Sequence, residues 1–137
     1  MRANIATLVA LVVAVVIAGL AFRGEPWTAM RIAGAVVCAG ALVLLFVARI
    51  QLGGSFSVQA QAKHLVTTGV YSRIRNPIYV AGELFLLGAS LFVRSWMPLV
   101  IAAVMVPMQM VRAHREAQVL REAFGEEYEA YRRGTWF

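Results

Sequence analysis

The stretch IYVAGELFLLGASLFV at residues 78–93, then RS at 94–95, then WMPLVIAAVMVPMQMV at 96–111, decides how this chain is built. Both flanks are apolar nearly throughout. A helix that crosses a bilayer needs about 20 residues, within a range of roughly 17–25. Each flank reaches the lower end of that range once its neighbours are counted. The two polar residues between them allow only a tight turn, so the pair reads as a helical hairpin. Pro98 lies near the start of the second arm and Pro107 inside it. Glu83 is the ionisable group that interrupts the first arm.

Two further apolar stretches lie upstream, at 5–22 and, between Arg31 and Arg49, at 32–47. The first exceeds the roughly 7–15-residue apolar core of a secretory signal and shows no clear small-residue cleavage site. It therefore reads as a span. Composition agrees. Of 137 residues, 61% are hydrophobic and 15% charged, where soluble domains average about 45–50% and 25%. A soluble domain of this size cannot bury so much apolar surface. The expected architecture is an all-α integral membrane protein, one domain over 1–137. Its four transmembrane helices fall at about 4–22, 31–50, 78–93 and 96–112, the last two forming the hairpin. A polar loop at 51–77 and a tail at 113–137 remain. In the tail, Val119, Leu120, Phe124, Tyr128 and Tyr131 recur at helical spacing and Gly125 interrupts. That pattern predicts an amphipathic helix, a break and a further turn or two.

Lys and Arg number 13 against 7 Asp and Glu. A basic balance suits either nucleic acid or an anionic membrane, and the hydropathy selects the membrane. Positive charge gathers in cytoplasmic loops. With four spans, Arg2, Arg49, Lys63, Arg73, Arg75, Arg112, Arg115, Arg121, Arg132 and Arg133 share one side; Arg23, Arg31 and Arg94 take the other. Both termini and the middle loop are thus expected in the cytoplasm, in a membrane of the bacterial inner (plasma) membrane type. The single cysteine, Cys38, excludes a disulfide framework and reads as a small hydrophobe in the bundle. Two histidines and no Asp leave little to hold a metal, and none is expected.

Three places can carry chemistry. The densest is LVTTGVYSRIRNPIY at 65–79, at the entry to the third span. Pro77 suits a first helical turn and Asn76 is a good cap before it. The helix start then presents backbone N–H groups that attract anions. Arg75, Tyr71 and Tyr79 add charge and aromatic faces, and the same side chains equally suit anchoring at headgroup level. Arg112 and Glu116, four apart, share one helix face at the exit of the fourth span. They are either an ordinary ion pair or a charged pair at the mouth of the bundle, holding a zwitterion and an acid. Glu83 is costly inside a membrane segment, by roughly 2.5–3.5 kcal/mol, and so a functional candidate. The plainer reading is that it lies close enough to the interface to reach water or an arginine.

At these residues the sequence resembles the isoprenylcysteine carboxyl methyltransferases and their bacterial relatives, close to the phospholipid methyltransferases. The family pattern is Leu-Val-x-x-Gly-x-Tyr, then Arg-His-Pro-x-Tyr, a hairpin, Arg-x-x-x-Glu and a Phe-Gly-x-Glu-Tyr-x-x-Tyr tail. The chain has Leu65-Val66 with Gly69 and Tyr71, then Arg75-Asn76-Pro77-Ile78-Tyr79, then Arg112 with Glu116. Phe124-Gly125, Glu127-Tyr128 and Tyr131 follow. Upstream, Phe56 with Val58-Gln59 is similar to a Phe…Val-Gln element of the family. The match covers about residues 50–133.

The resemblance implies a membrane methyltransferase that uses S-adenosyl-L-methionine and acts on a lipophilic or lipid acceptor. It implies that Lys63, His64, Leu65 and Val66 line the cofactor, that Tyr71 sits on its body, and that Gln59 reaches its polar groups. Asn76, Pro77, Ile78 and Tyr79 would form the cap at the helix start. Glu116 would hold the cofactor's cationic end and Arg112 the acceptor's carboxylate, so Arg112 and Glu116 are the expected catalytic pair. Asn76 replaces the family's His and cannot titrate, Val70 stands where Pro is frequent, and Ala117 where a second acid is common.

Carboxyl O-methylation of an isoprenylcysteine-like acceptor needs no base, because a carboxylate is already ionised. Orientation alone can then supply up to roughly 7–11 kcal/mol, with Arg112 aiming the carboxylate. An amine acceptor would need a base, and Glu83 or Glu116 are the nearby groups. Glu83 is therefore counted with Arg112 as a substrate-binding candidate. Two other readings stay open: a small proton-coupled four-helix transporter centred on Glu83, and a non-catalytic membrane protein that binds cofactor or lipid only.

Overall fold

The computed structural model describes residue 19 and residues 23–53 and 65–136. The first expected span (4–22) apart from residue 19, most of the loop's first half, and the candidate residues Gln59, Lys63 and His64 lie outside the described residues. The described part is all-helical. It contains α1 (Ala29–Leu52), a 3-10 turn (Gly69–Ser72), α2 (Pro77–Val93) and α3 (Met97–Arg133). Helices α1 and α3 are long and apolar enough to cross a membrane; α2, with 17 residues, is apolar and shorter.

Helix α1 starts where Thr28 Oγ1 accepts from the backbone N–H of Arg31 at 3.3 Å. It ends at Gly53, whose φ of 50° only glycine adopts readily. Its face toward α2 is a row of small residues: Gly34, Ala41 and Ala48 are buried. On α2, Ala81 and Gly88 answer them. Small side chains let two helix backbones approach closely where lipid offers no hydrophobic drive for association. At the crossing there is no spare space. A Cβ on Gly34 would stand 2.5 Å from Phe92 N and 2.7 Å from Gly88 O. Cys38 sits in this seam, its Sγ 3.6 Å from Phe85 O, in keeping with its expected packing role.

Arg31 departs from the sequence reading. Counted there as a loop charge, it is buried at the α1–α2 junction. It donates to Phe92 O at 3.2 Å and Pro26 O at 3.1 Å, and its guanidinium lies 5.4 Å from the Phe92 ring centroid. Its flexible stem carries the charge from the first turn of α1 back to the end of α2, where open carbonyls outcompete solvent.

The hairpin forms as expected. Pro77 is fully buried at the first position of α2, and Asn76 is the cap residue. The cap works differently, however. The Asn76 side chain makes no capping bond, and instead its carbonyl accepts from Tyr79 N at 3.1 Å and Val80 N at 3.2 Å. At the other end Arg94 turns the chain in the left-handed region, φ 54° and ψ 42°. Ser90 Oγ donates to Ser95 O at 2.6 Å, and Ser95 Oγ accepts from Met97 N at 3.2 Å. The turn is thus held by two serines.

Helix α3 overruns the boundary read at residue 112. It runs on through the polar segment until Gly125, where φ 50° and ψ −119° break it, as the tail pattern predicts. From Met97 to Phe124 is about 42 Å at 1.5 Å per residue, longer than a hydrocarbon core of about 30 Å. Beyond the break the chain folds back toward the 3-10 turn, and Arg121 and Glu129 pair across the kink at 2.6 Å.

Candidate functional site

The site lies where the start of α2, the polar half of α3 and the 3-10 turn meet. Tyr79, in the first turn of α2, donates from Oη to Glu116 Oε1 at 2.9 Å. Arg112 Nε donates to the same oxygen at 3.0 Å. The Arg112 guanidinium also lies 6.0 Å from the Tyr79 ring centroid. Three candidates from separate parts of the sequence thus form one unit, bridging both arms of the hairpin. Both bonds fall on Oε1; among the described residues no donor reaches Oε2. Glu116 is about a quarter exposed, enough for a ligand to reach it.

Tyr71 is positioned by the 3-10 turn. Gly69 opens the turn at φ 63°, and a Cβ there would collide with the Gln51 amide. That amide is in place for a reason: Gln51 Oε1 accepts from Val70 N at 2.8 Å and ties the turn to the end of α1. From the other side Tyr131 Oη donates to Tyr71 O at 2.7 Å. Trp136 N donates to Arg73 O at 2.8 Å, with the Arg73 guanidinium 5.9 Å from the Trp136 ring centroid. The turn is therefore clasped between α1 and the tail.

Tyr71 is buried, 6% exposed, yet no partner reaches its hydroxyl among the described residues. A buried polar group left without a partner costs free energy, and it marks a place where a ligand can supply one. Burial pushes this phenol well above its usual value; neighbouring Tyr131 raises it further, Arg49 pulls it down, and Glu116 and Tyr79 raise it. These influences also place Tyr71 within electrostatic reach of Glu116, Tyr79 and Arg49. Tyr131 is pushed up to about 12, by burial first and by Tyr128 second. Both phenols are neutral at physiological pH.

Among the described residues no arginine pairs with Glu83, and an amide meets it instead. Gln109 Nε2 donates to Glu83 Oε1 at 2.9 Å across the hairpin. Asn76 and Ile78 are half-buried beside Pro77, and Leu65 and Val66 half-buried at the start of the described loop. Among the described residues no side-chain hydrogen bond joins these four to Glu116 or Arg112, although the Asn76 carbonyl holds the backbone N–H of Tyr79. The sequence reading missed Arg49, Gln51 and Gln109. Gln109 had a signal, as the amide inside an otherwise apolar run. Gln51 and Arg49 looked like ordinary helix-end residues.

The apolar helical hairpin thus carries a carboxylate, a guanidinium and two tyrosines gathered at one end. A model of the phospholipid methyltransferase family matches residues 29–127, and the chain belongs to that family. The family implies a membrane methyltransferase; its members generally use S-adenosyl-L-methionine. No curated protein and no solved structure matches the chain.

Proposed function

We propose that the protein is an S-adenosyl-L-methionine-dependent methyltransferase with four membrane-spanning helices over 1–137 and both termini cytoplasmic. Its acceptor is membrane-embedded or lipophilic, and carboxyl O-methylation of an isoprenylcysteine-like molecule is the reaction its residues suit best. The observation that carries this is Glu116, shared by Tyr79 and Arg112 at the mouth of the hairpin in a chain of this family.

The residues present suit the cofactor. Its amino-acid end is zwitterionic, and Glu116 offers a carboxylate oxygen to the ammonium. The Tyr71 and Tyr79 faces suit a sulfonium, and the unpartnered Tyr71 hydroxyl suits a polar atom. Leu65, Val66, Asn76, Pro77 and Ile78 are the proposed wall, and Gln59, Lys63 and His64 keep the cofactor-binding role that the family resemblance implies for them. When bound, the cofactor supplies an electrophilic methyl group. Arg112 fixes the acceptor's carboxylate by charge-assisted hydrogen bonding. Glu116 holds Arg112 and so fixes its direction. Exclusion of water and alignment provide the rate.

Calorimetric titration of the purified protein with S-adenosylhomocysteine tests this. Binding that weakens by about tenfold or more in Glu116→Ala supports the site. Unchanged affinity in Glu116→Ala removes Glu116 from it, and no binding by a folded wild type overturns the reading.

A further inference from the structure

We propose that Glu83 and Gln109 form an ammonium subsite, deeper in the α2–α3 seam than the Tyr79–Glu116 bond. It takes the protonated nitrogen of an acceptor whose anionic group is held by Arg112. The Arg112 half rests on the proposed function; the Glu83 half does not.

The hairpin's register supplies the first support. Tyr79 bonds Glu116, and Glu83, four residues further along α2, bonds Gln109, seven residues back along α3. Four residues is about one turn and seven about two, and the opposite signs of the two steps place both bonded pairs along one antiparallel seam. Gln109 and Arg112, three apart on α3, are neighbours on its surface. Arg112 and the Glu83–Gln109 bond thus face the same seam from neighbouring positions of α3, an anion-holding group and a carboxylate in sequence along it. An amino acid or an aminoalkyl phosphate carries the complementary pair of charges.

The bonding of Glu83 supplies the second. Glu25, Glu116 and Glu129 each pair with an arginine. Glu83 has only the neutral Gln109 amide, on Oε1, and among the described residues no cation pairs with it. A carboxylate between two apolar helices needs a donor or a counter-charge. The described residues provide one donor, and an ammonium group provides the rest.

The surroundings supply the third. Leu84 and Leu87 on α2, and Met108 and Val111 on α3, flank the seam and are exposed. An acyl or prenyl chain attached to the headgroup has apolar neighbours on both sides.

The bland role for the pair is an interhelical polar clamp. Glu83→Gln separates the two, because a Gln–Gln pair can still clamp but carries no charge. The protein is placed in phosphatidylglycerol nanodiscs and titrated with two matched pairs of ligands. One is S-farnesylcysteine and its des-amino analogue; the other is phosphatidylethanolamine and phosphatidylethanol. The expected result is that the amine-bearing member of at least one pair binds the wild type about tenfold tighter. In Glu83→Gln that ratio falls to about one, with the melting temperature retained. The pair that discriminates identifies the anion as carboxylate or phosphate. Equal binding within both pairs, or a preference that persists in Glu83→Gln, overturns the subsite. S-adenosylhomocysteine titration of the same samples reports on the methyltransferase reading separately: an amine preference without cofactor binding would sink that reading and keep the subsite.

Discussion

Glu116 Oε1 accepts from Tyr79 and Arg112 together, so neither donor acts alone. In Tyr79→Phe and Arg112→Ala one bond to the carboxylate survives; in the double variant neither does. Their effects on S-adenosylhomocysteine binding should be non-additive, with a coupling of about 0.5–3 kcal/mol. Calorimetry on the four proteins measures it, and strict additivity would mean that the two side chains serve separate sites. Arg112→Ala should cut methyl transfer more than cofactor binding, by about 10²-fold in kcat/KM. Tyr131 yields a prediction in pH. Its folded-state phenol is raised to about 12 from an ordinary value of about 10, so the neutral form is favoured in the native protein. Its contribution is fully present below pH about 10 and is lost as pH climbs toward about 12. Tyr131→Phe should lower stability by about 1 kcal/mol at neutral pH, the worth of its bond to Tyr71 O. It should also flatten the alkaline decline; thermal melts from pH 8 to 12 show whether it does. At this scale the Arg112–Glu116 pair was legible because spacing of four fixes a shared helix face. The bond from Tyr79 was not, because it depends on the register between two helices, which periodicity within each does not contain.

The α1–α2 crossing and the hairpin turn are governed by single backbone positions. Gly34→Ala drives a Cβ into Phe92 N and Gly88 O, which are main-chain atoms and cannot rotate away. Overpacking of this kind costs typically 1–3 kcal/mol, and a drop in melting temperature in detergent is the expected outcome. Arg94→Gly works the other way. Arg94 holds a left-handed conformation at a helix C-terminus, where a non-glycine residue pays roughly 1–2 kcal/mol. Glycine there should raise stability, in part offset by its looser unfolded chain; a lower melting temperature would mean that the Arg94 side chain makes up for its strain. The hairpin was readable from two apolar runs around a polar pair. The end of the last helix was drawn at residue 112, where apolar content ends, but the backbone does not stop there. Residues 112–124 are rich in Arg, Glu, Ala, Gln and Leu, all good helix formers. Only Gly125 breaks the helix.

The described helices and the family together point to a membrane methyltransferase, and the proposed four-span arrangement makes a statement about sides. Single cysteines placed at Arg94 and Arg132, in a Cys38→Ser background, should label from opposite faces of sealed vesicles. Labelling from one face would require a different number of spans. Fold class and membrane character were legible because hydropathy is a bulk property. The clasp around the 3-10 turn was not, since Gln51, Tyr131 and Trp136 approach it from places far apart in sequence. That clasp carries a consequence for the order of assembly. Chains are made from the N-terminus, so α1, α2 and the apolar half of α3 can enter the bilayer before Tyr131 and Trp136 leave the ribosome. The membrane part is built first and the pocket is fastened last. A chain cut short after Gly125 should therefore still insert its membrane helices while leaving the 3-10 turn unfastened on the tail side.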